Sequence, residues 1–238
     1  MRILLIGYGK MGQAIEKMAL EHHHTIAYKI RSSTKETLEK INPAEVDVAI
    51  EFTEPTAAVS NIKFCMDHRI PIICGTTGWN SKWKEIEEYC SSKKGSLFYA
   101  SNFSMGVYLF LYINEKLSKV MNNYSEYNIK IEETHHTQKK DIPSGTAITL
   151  AEIILSQFVQ KKNWTSEPTN DPSQLLIHSK REDEVIGTHS VYYDSLIDTI
   201  KIEHIAHTRM GFVLGALKAA EWIQGKTGIF GMKDLLNL

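Results

Sequence analysis

The chain has 238 residues, 42% of them hydrophobic and 23% charged, with a formal net charge of −1. That length holds one large domain or two small ones with a proper core, and the near-neutral balance gives no general field for nucleic acid or an anionic membrane, so any anion site has to be local. Cys65, Cys74 and Cys90 show no metal-ligand or disulfide spacing and suit a reducing cytoplasm, no apolar run reaches the ~18 residues of a membrane span, and the N-terminus enters a strand directly, without a signal peptide.

Arg2 to Ile6 reads as a buried strand, its Ile3-Leu4-Leu5-Ile6 run ended by glycine. Gly7-Tyr8-Gly9-Lys10-Met11-Gly12 follows, and Met11, Ile15, Met18 and Ala19 then recur at helical spacing. Strand, glycine turn and helix, in that order, are the context in which G-x-G-x-x-G carries meaning. The first glycine permits a tight turn, the second lets a dinucleotide pyrophosphate approach the backbone, and the third lets helix and strand pack closely. Thr25 to Ile30 makes a second strand, followed by Arg31-Ser32-Ser33. An NAD-selective fold places an acid there for the ribose 2′-OH; a guanidinium and two hydroxyls instead suit the 2′-phosphate of NADPH. Val46 to Phe52 is a third strand, leaving Thr53-Glu54-Pro55 at its end, and Ala57 to Met66 is helical. Ile70 to Cys74 is a fourth strand, ending in Gly75-Thr76-Thr77-Gly78; Lys82 to Ser91 is an exposed helix; Leu97 to Ala100 is a fifth strand, ending in Ser101-Asn102-Phe103. This alternation predicts an α/β, Rossmann-type doubly wound parallel sheet with its ligands at the carboxyl ends of the strands.

After residue 104 the pattern changes. Val107 to Met121 is a long helix, and Tyr127 to Glu133 alternates as a strand, Ile129 and Ile131 facing one way, Lys130 and Glu132 the other. A helix from Thr146 to Phe158 has Ala147, Leu150, Ala151, Ile154, Leu155 and Phe158 on its apolar face. Lys161 to Gln174 reads as a surface loop. Leu175 to Ser179, Gly187 to Tyr193 and Thr199 to His207 read as strands of a mixed or antiparallel sheet, Gly211 to Gln224 as a final helix, and Gly231 onward as a tail. A nucleotide fold is thus followed by a second, α+β domain.

The most informative stretch is Glu133-Thr134-His135-His136-Thr137-Gln138-Lys139-Lys140-Asp141-Ile142-Pro143-Ser144-Gly145-Thr146-Ala147. Two histidines and a lysine precede a Pro-Ser-Gly-Thr turn that opens a helix. Proton-donating and cationic side chains therefore lie beside unpaired helix N–H groups, a ready site for carboxylate or phosphate. A small dianion with a position to be protonated fits such a place. The other histidines read blandly: His22-His23-His24 closes the first helix, and His204 and His207, three apart, face opposite sides of a strand. No metal is expected, because no Cys or carboxylate partners converge on them. Arg181-Glu182-Asp183-Glu184 reads as a solvated turn.

The stretch from His135 to Ala147 resembles the H-H-x-x-K-x-D-x-P-S-G-T-A signature of the 4-hydroxy-tetrahydrodipicolinate reductase (dihydrodipicolinate reductase) family. Gly9-Lys10-Met11-Gly12 matches half of that family's G-x-x-G-x-M-G, Gly75-Thr76-Thr77 its G-T-T, and Ala100-Ser101-Asn102-Phe103 its A-x-N-F, so the resemblance covers nearly the whole chain. It implies a dinucleotide-binding domain of residues 1–104 plus 212–238, the last helix returning to it, and a substrate-binding and oligomerisation domain of residues 105–211. It implies NAD(P)H-dependent reduction of 4-hydroxy-tetrahydrodipicolinate to tetrahydrodipicolinate in the diaminopimelate route to lysine. His135 becomes the general acid, Lys139 its charge-stabilising or proton-donating partner, and His136 a substrate contact. The Ser144 hydroxyl and the N–H groups of Gly145 and Thr146 grip one carboxylate. On the cofactor side the resemblance and the glycine turn together indicate Gly7, Tyr8, Gly9, Lys10, Met11, Gly12, Arg31, Gly75, Thr76, Thr77, Ala100, Ser101, Asn102 and Phe103, with NADPH preferred and NADH usable. The family further implies a cytoplasmic homotetramer assembled through the second domain. Thr137-Gln138, Lys140 and Ile142 depart from the family's usual residues without touching a position given a chemical role. Two other readings stay open. One is another two-domain NAD(P)-dependent dehydrogenase of a small dicarboxylate, such as an aspartate-semialdehyde dehydrogenase, which needs an activated cysteine. The other is a catalytically inactive nucleotide-sensing relative, against which the intact His135 and Lys139 argue.

Overall fold

The computed structural model describes residues 1–31 and 37–238 and separates into two compact units, Met1–Met105 with Met210–Leu238, and Gly106–Arg209. In the first unit, β1 (Arg2–Ile6) buries Ile3 to Ile6 completely or nearly so. A strand covered on both faces needs a continuous apolar run rather than an alternating one. Helix α1 (Lys10–Glu21) buries Gly12, Ile15 and Ala19, whose spacings of three and four put them on one face. Strands β2 (Thr25–Ile30) and β3 (Val48–Glu51), helix α2 (Pro55–Asp67), β4 (Ile72–Cys74), α3 (Trp83–Lys93) and β5 (Ser96–Tyr99) continue the alternation. Helix α3 is not simply exposed, since it buries Ile86 and Cys90.

The second unit contains α4 (Met105–Met121), β6 (Asn128–His135), α5 (Gly145–Gln157), β7 (Asn163–Thr165), β8 (Gln174–Arg181), β9 (Gly187–Asp194) and β10 (Thr199–Ala206). Its sheet has the order β10-β9-β6-β8-β7, antiparallel on the β10 side of β6 and parallel on the other. Strand β6 turns Ile129, Ile131, Glu133 and His135 inward and Lys130, Glu132 and Thr134 outward. Phe110 and Met121 of α4, with Leu150, Ala151 and Ile154 of α5, cover the inward face formed by Ile129, Ile131, Leu175, Ile177, Val191 and Tyr193. Two expectations change. Strand β6 runs two residues past its apolar alternation, which carries His135 onto the core face. The polar stretch expected as a loop contains β7, an edge strand that pairs Trp164 with Leu175.

Helix α6 (Met210–Trp222), β11 (Gly228–Phe230) and α7 (Met232–Leu236) complete the first unit. Where only a tail was expected, α7 forms, and β11 pairs Ile229 with Leu97 to give a six-stranded parallel sheet of order β11-β5-β4-β3-β1-β2. Helix α6 approaches the segment after β5 so closely that a Cβ on Gly215 would lie 1.8 Å from the Phe103 carbonyl oxygen, so only glycine fits. No helix among the described residues is long and apolar enough to cross a membrane.

Candidate active site

The glycine turn lies between β1 and α1. Gly7 has φ +95°, and a Cβ there would lie 2.0 Å from the Phe52 carbonyl oxygen. A Cβ on Gly12 would lie 2.3 Å from the carbonyl oxygen of Gly7. At Gly9 no described atom lies within 4 Å of that position. Gly9 caps α1 without a side-chain bond, so the first N–H groups of the helix, including those of Lys10 and Met11, lack intrahelical partners. The Tyr8 ring carries the Arg31 guanidinium at 4.5 Å and the Lys29 ammonium at 5.1 Å. Glu16, which the sequence pattern does not single out, binds the Tyr8 hydroxyl and pairs with Lys29 at 2.6 Å. Those bonds from Lys29 and Tyr8 hold its carboxyl below the usual range. Ser32 and Ser33 lie outside the described residues.

Phe52 gathers the other cofactor segments. Its ring would meet a Cβ on Gly75 at 2.0 Å and lies 5.7 Å from the ring of Phe103. Glu51, fully buried at the end of β3, accepts from the Thr76 hydroxyl at 3.0 Å, the Asn61 amide at 3.4 Å, the Cys74 thiol at 3.1 Å and the Thr53 hydroxyl. The Thr76 hydroxyl also accepts from the Thr53 N–H at 2.7 Å, and its carbonyl accepts from Trp79 at 2.7 Å. The Thr76 side chain therefore holds the loop together, while Gly75 is half-buried and Thr77 exposed. Phe103 and Ala100 are core, Ser101 is exposed, and the Asn102 side chain accepts from the Ser104 N–H at 2.8 Å.

In the second unit His135 ends β6 with its Nδ1 3.1 Å from Glu133 Oε2, off the hydrogen-bond line. Glu133 is fully buried, and its Oε1 accepts from the Ser144 N–H and from Arg181, each at 3.1 Å. Burial works against ionisation of Glu133, but the neighbouring donors His135, Ser144 and Ser179 outweigh it and hold the carboxyl well below the usual range. The His189 ring centroid lies 5.0 Å from that of His135, and its Nε2 is 3.0 Å from the Ser144 hydroxyl. Burial first, then the charge on His135, push His189 down to about 3.

Ser144 opens helix α5. Its hydroxyl, expected on a substrate carboxylate, is buried and accepts from the Ala147 N–H at 3.3 Å as the cap of α5. The N–H groups of Gly145 and Thr146 follow it in the first turn, where the helix itself supplies no partners. Lys139 donates to both carboxylate oxygens of Asp141 at 2.8 Å, and His136 Nε2 lies 3.1 Å from Arg209. Arg181 leaves the solvated turn expected for it, bonding also to the Asp141 carbonyl at 2.7 Å, while Glu182 to Glu184 are exposed. Strand β10 stops at Ala206, so His207 lies beyond it.

Glu133, His135 and His189 lie close enough to suggest a metal set. Arg181, 3.1 Å from the same carboxylate, sets a positive charge against a cation there. Burial raises all three thiols, Cys65, Cys74 and Cys90, the opposite of an activated nucleophile.

A Rossmann-type unit with an open glycine turn, joined in one chain to a unit carrying a buried acid pair at a helix N-terminus, defines a dinucleotide-dependent oxidoreductase. Residues 1–103 match the family model for the dihydrodipicolinate reductase N-terminus, and residues 106–236 match that for its C-terminus. The chain belongs to the dihydrodipicolinate reductase family. It is 46% identical to a 4-hydroxy-tetrahydrodipicolinate reductase from Christiangramia forsetii over 100% of this chain and 98% of the relative. It is 32% identical to one from Neisseria meningitidis over 94% of this chain and 84% of that one. Among solved structures, a dipicolinate-bound dihydrodipicolinate reductase from Paenisporosarcina superposes with a TM-score of 0.75 at 20% identity, over 97% of each chain, and shares its fold.

Proposed function

We propose that this chain catalyses NAD(P)H-dependent reduction of 4-hydroxy-tetrahydrodipicolinate to tetrahydrodipicolinate, a step of the diaminopimelate route to lysine. The observation that carries the reading is the union, in the second unit, of a buried proton donor with an anion-binding helix end, linked through Glu133. NAD(P)H supplies the hydride when bound. That hydride and one proton replace the ring hydroxyl, which leaves as water, so the chain has to deliver a proton while holding a dianion.

His135 delivers the proton as general acid. Lys139, positioned by Asp141, stabilises the negative charge that develops on the ring. The amides of Gly145 and Thr146, with the hydroxyl of the capping Ser144, grip one carboxylate at the positive end of α5. His136, beside Arg209, contacts the other end of the substrate. In the first unit, Gly9, Lys10 and Met11 hold the pyrophosphate, Gly75 and Thr77 the nicotinamide end, and Arg31 the 2′-phosphate. NADPH is preferred, and NADH still serves because among the described residues nothing at the end of β2 repels a 2′-OH. The protein works as a cytoplasmic homotetramer assembled through its second unit, where Leu196, Ile197 and Ile205 offer exposed apolar surface.

The test supplies freshly formed 4-hydroxy-tetrahydrodipicolinate and follows NADPH oxidation by absorbance. Substrate-dependent oxidation is expected. NADPH binding without turnover would identify a nucleotide sensor instead, and light scattering of the same sample reads the oligomer.

A further inference from the structure

Glu133 takes no part in the chemistry above, yet the second site converges on it. Its Oε1 holds the Ser144 N–H and Arg181 at 3.1 Å each; its Oε2 faces His135 Nδ1 at 3.1 Å and His189 Nε2 at 3.9 Å. A fully buried carboxylate needs compensating donors, and Arg181 supplies a permanent opposite charge. Turning His135 toward the same carboxylate serves a different end. With Nδ1 on Glu133, Nε2 is the ring nitrogen left for the substrate, and Gly187 keeps its surroundings clear, since a Cβ there would lie 3.0 Å from Nε2. Such apo contacts are commonly imperfectly aligned before the ligand binds. The charged or titratable groups around the pair are Arg181 from β8, His189 from β9, His204 from β10, and Lys139 with Asp141 from the loop after β6. His189, kept neutral by burial, does not compete for the carboxylate as a cation.

We infer that Glu133 is a positioning residue that fixes His135 with Nδ1–H toward its own Oε2 and Nε2–H toward the substrate, and that through the Ser144 N–H it holds the anion-binding turn of α5 in register with that acid. The Nε2 proton passes to the substrate, leaving a neutral imidazole whose Nδ1–H still faces Glu133; water returns a proton to Nε2. The inference rests on His135 being the general acid of the proposed reduction.

Glu133→Gln tests it, because the amide oxygen can still accept from the Ser144 N–H while the charge facing His135 is gone. We expect kcat to fall by ~10-fold or more and its alkaline limb to move to lower pH by about one unit or more. The KM for 4-hydroxy-tetrahydrodipicolinate should stay within about threefold, as expected when binding contacts survive. Nitrogen-15 NMR of the substrate-free protein should show the His135 ring proton on Nδ1 in the wild type and on Nε2 in the variant. An unmoved pH limb together with an unchanged ring tautomer overturns the inference, even if melting temperature falls, since a purely structural Glu133 would affect only the melt. Should Glu133→Gln not fold, Glu133→Asp keeps the charge but withdraws it: a lowered kcat with nearly unchanged KM supports the inference, and wild-type kcat overturns it. The NMR arm needs no turnover. A wild type inactive on 4-hydroxy-tetrahydrodipicolinate therefore removes the functional reading alone, and an active wild type whose tautomer survives Glu133→Gln removes the positioning role alone.

Discussion

Two fully buried carboxylates, one in each unit, are held in opposite ways. Glu51 is surrounded by neutral donors, the hydroxyls of Thr53 and Thr76, the Asn61 amide and the Cys74 thiol. Glu133 faces Arg181 and the His135 ring. Neutral donors fix loops but exchange no proton at working pH, so the cluster around Glu51 is architecture. Around Glu133 the partners are ionisable, and the geometry that fixes them also decides where a proton sits. Burial alone therefore does not mark a reactive carboxylate; the protonation chemistry of its partners does.

The largest effects should come from the ionisable side. His135→Ala and Lys139→Ala should each lower kcat by ~10²–10⁴-fold, and the double variant should lose less than the product of the two. NADPH affinity, read by fluorescence titration, should stay within about twofold. A variant that turns over normally, or that loses NADPH, would erase the division of labour between the units.

Acid sensitivity comes next. Burial holds His189 at about 3 when folded, against an ordinary value of ~6.5 in the unfolded chain. The unfolded state therefore binds the proton first. The contribution of His189 to stability is complete above pH ~6.5 and is lost as pH falls toward the folded value, at up to about 1.4 kcal/mol per pH unit. Glu133, held low, begins to add its own loss as pH falls through the ordinary carboxylate value of ~4.3. Urea unfolding from pH 7 down to pH 5 should show a slope that flattens in His189→Gln. Equal slopes would mean that His189 is not the neutral buried group described.

Arg31 is the charge proposed to read the cofactor in the first unit. Arg31→Ala should weaken NADPH by about tenfold or more while leaving NADH within a few-fold, since a charge-assisted bond contributes about 1.5–3 kcal/mol. Comparing kcat/KM for the two cofactors in both proteins measures this, and matched losses would mean that Arg31 does not read the phosphate. Glu16, which ties Lys29 to Tyr8, already tempers the positive charge there.

The smallest effects sharpen what the units share. Gly9 and Gly145 both leave open space where a Cβ would go. Gly9→Ala and Gly145→Ala should therefore leave the melting temperature unchanged within about 1 °C, because no strain or overpacking mechanism applies. Each should weaken its own ligand several-fold, NADPH for the first and pyridine-2,6-dicarboxylate for the second. Calorimetry that finds the dicarboxylate bound as tightly by Gly145→Ala as by wild type would move the anion site off the α5 turn.

Local patterns carried much of this into the sequence. The parallel sheet follows from apolar runs ended by glycine or polar clusters, and β6 from alternation through Ile129 and Ile131. The short strands β7 and β11 were illegible because three residues have no period. They exist through partners elsewhere in the chain, Leu175 for Trp164 and Leu97 for Ile229. At the candidate site, His135, Lys139 and the α5 turn stood out as a contiguous motif. Arg181, His189 and Gly187 did not, because β8 and β9 bring them in across the sheet. Glu133 lay within the motif, but only its inward position on β6, two residues from His135, shows that both side chains share the core face. The Ser144 and Thr76 hydroxyls were visible as polar groups; the internal bonds they make were not.

The pairing of β11 with β5 has a consequence for synthesis. The second unit is one uninterrupted stretch, whereas the first resumes at Met210, and its helix α6 packs on β3 and β4. On the ribosome, β1 to β5 emerge well before the segments that cover and complete them. A nascent chain halted at Arg209 would carry a second unit with every strand in hand and a first unit with an unpaired β5 edge and a bare apolar sheet face. Such a chain is exposed to aggregation through its earliest-made half. Premature stops late in the message should therefore yield insoluble product, even though they fall far from every residue proposed to act in catalysis.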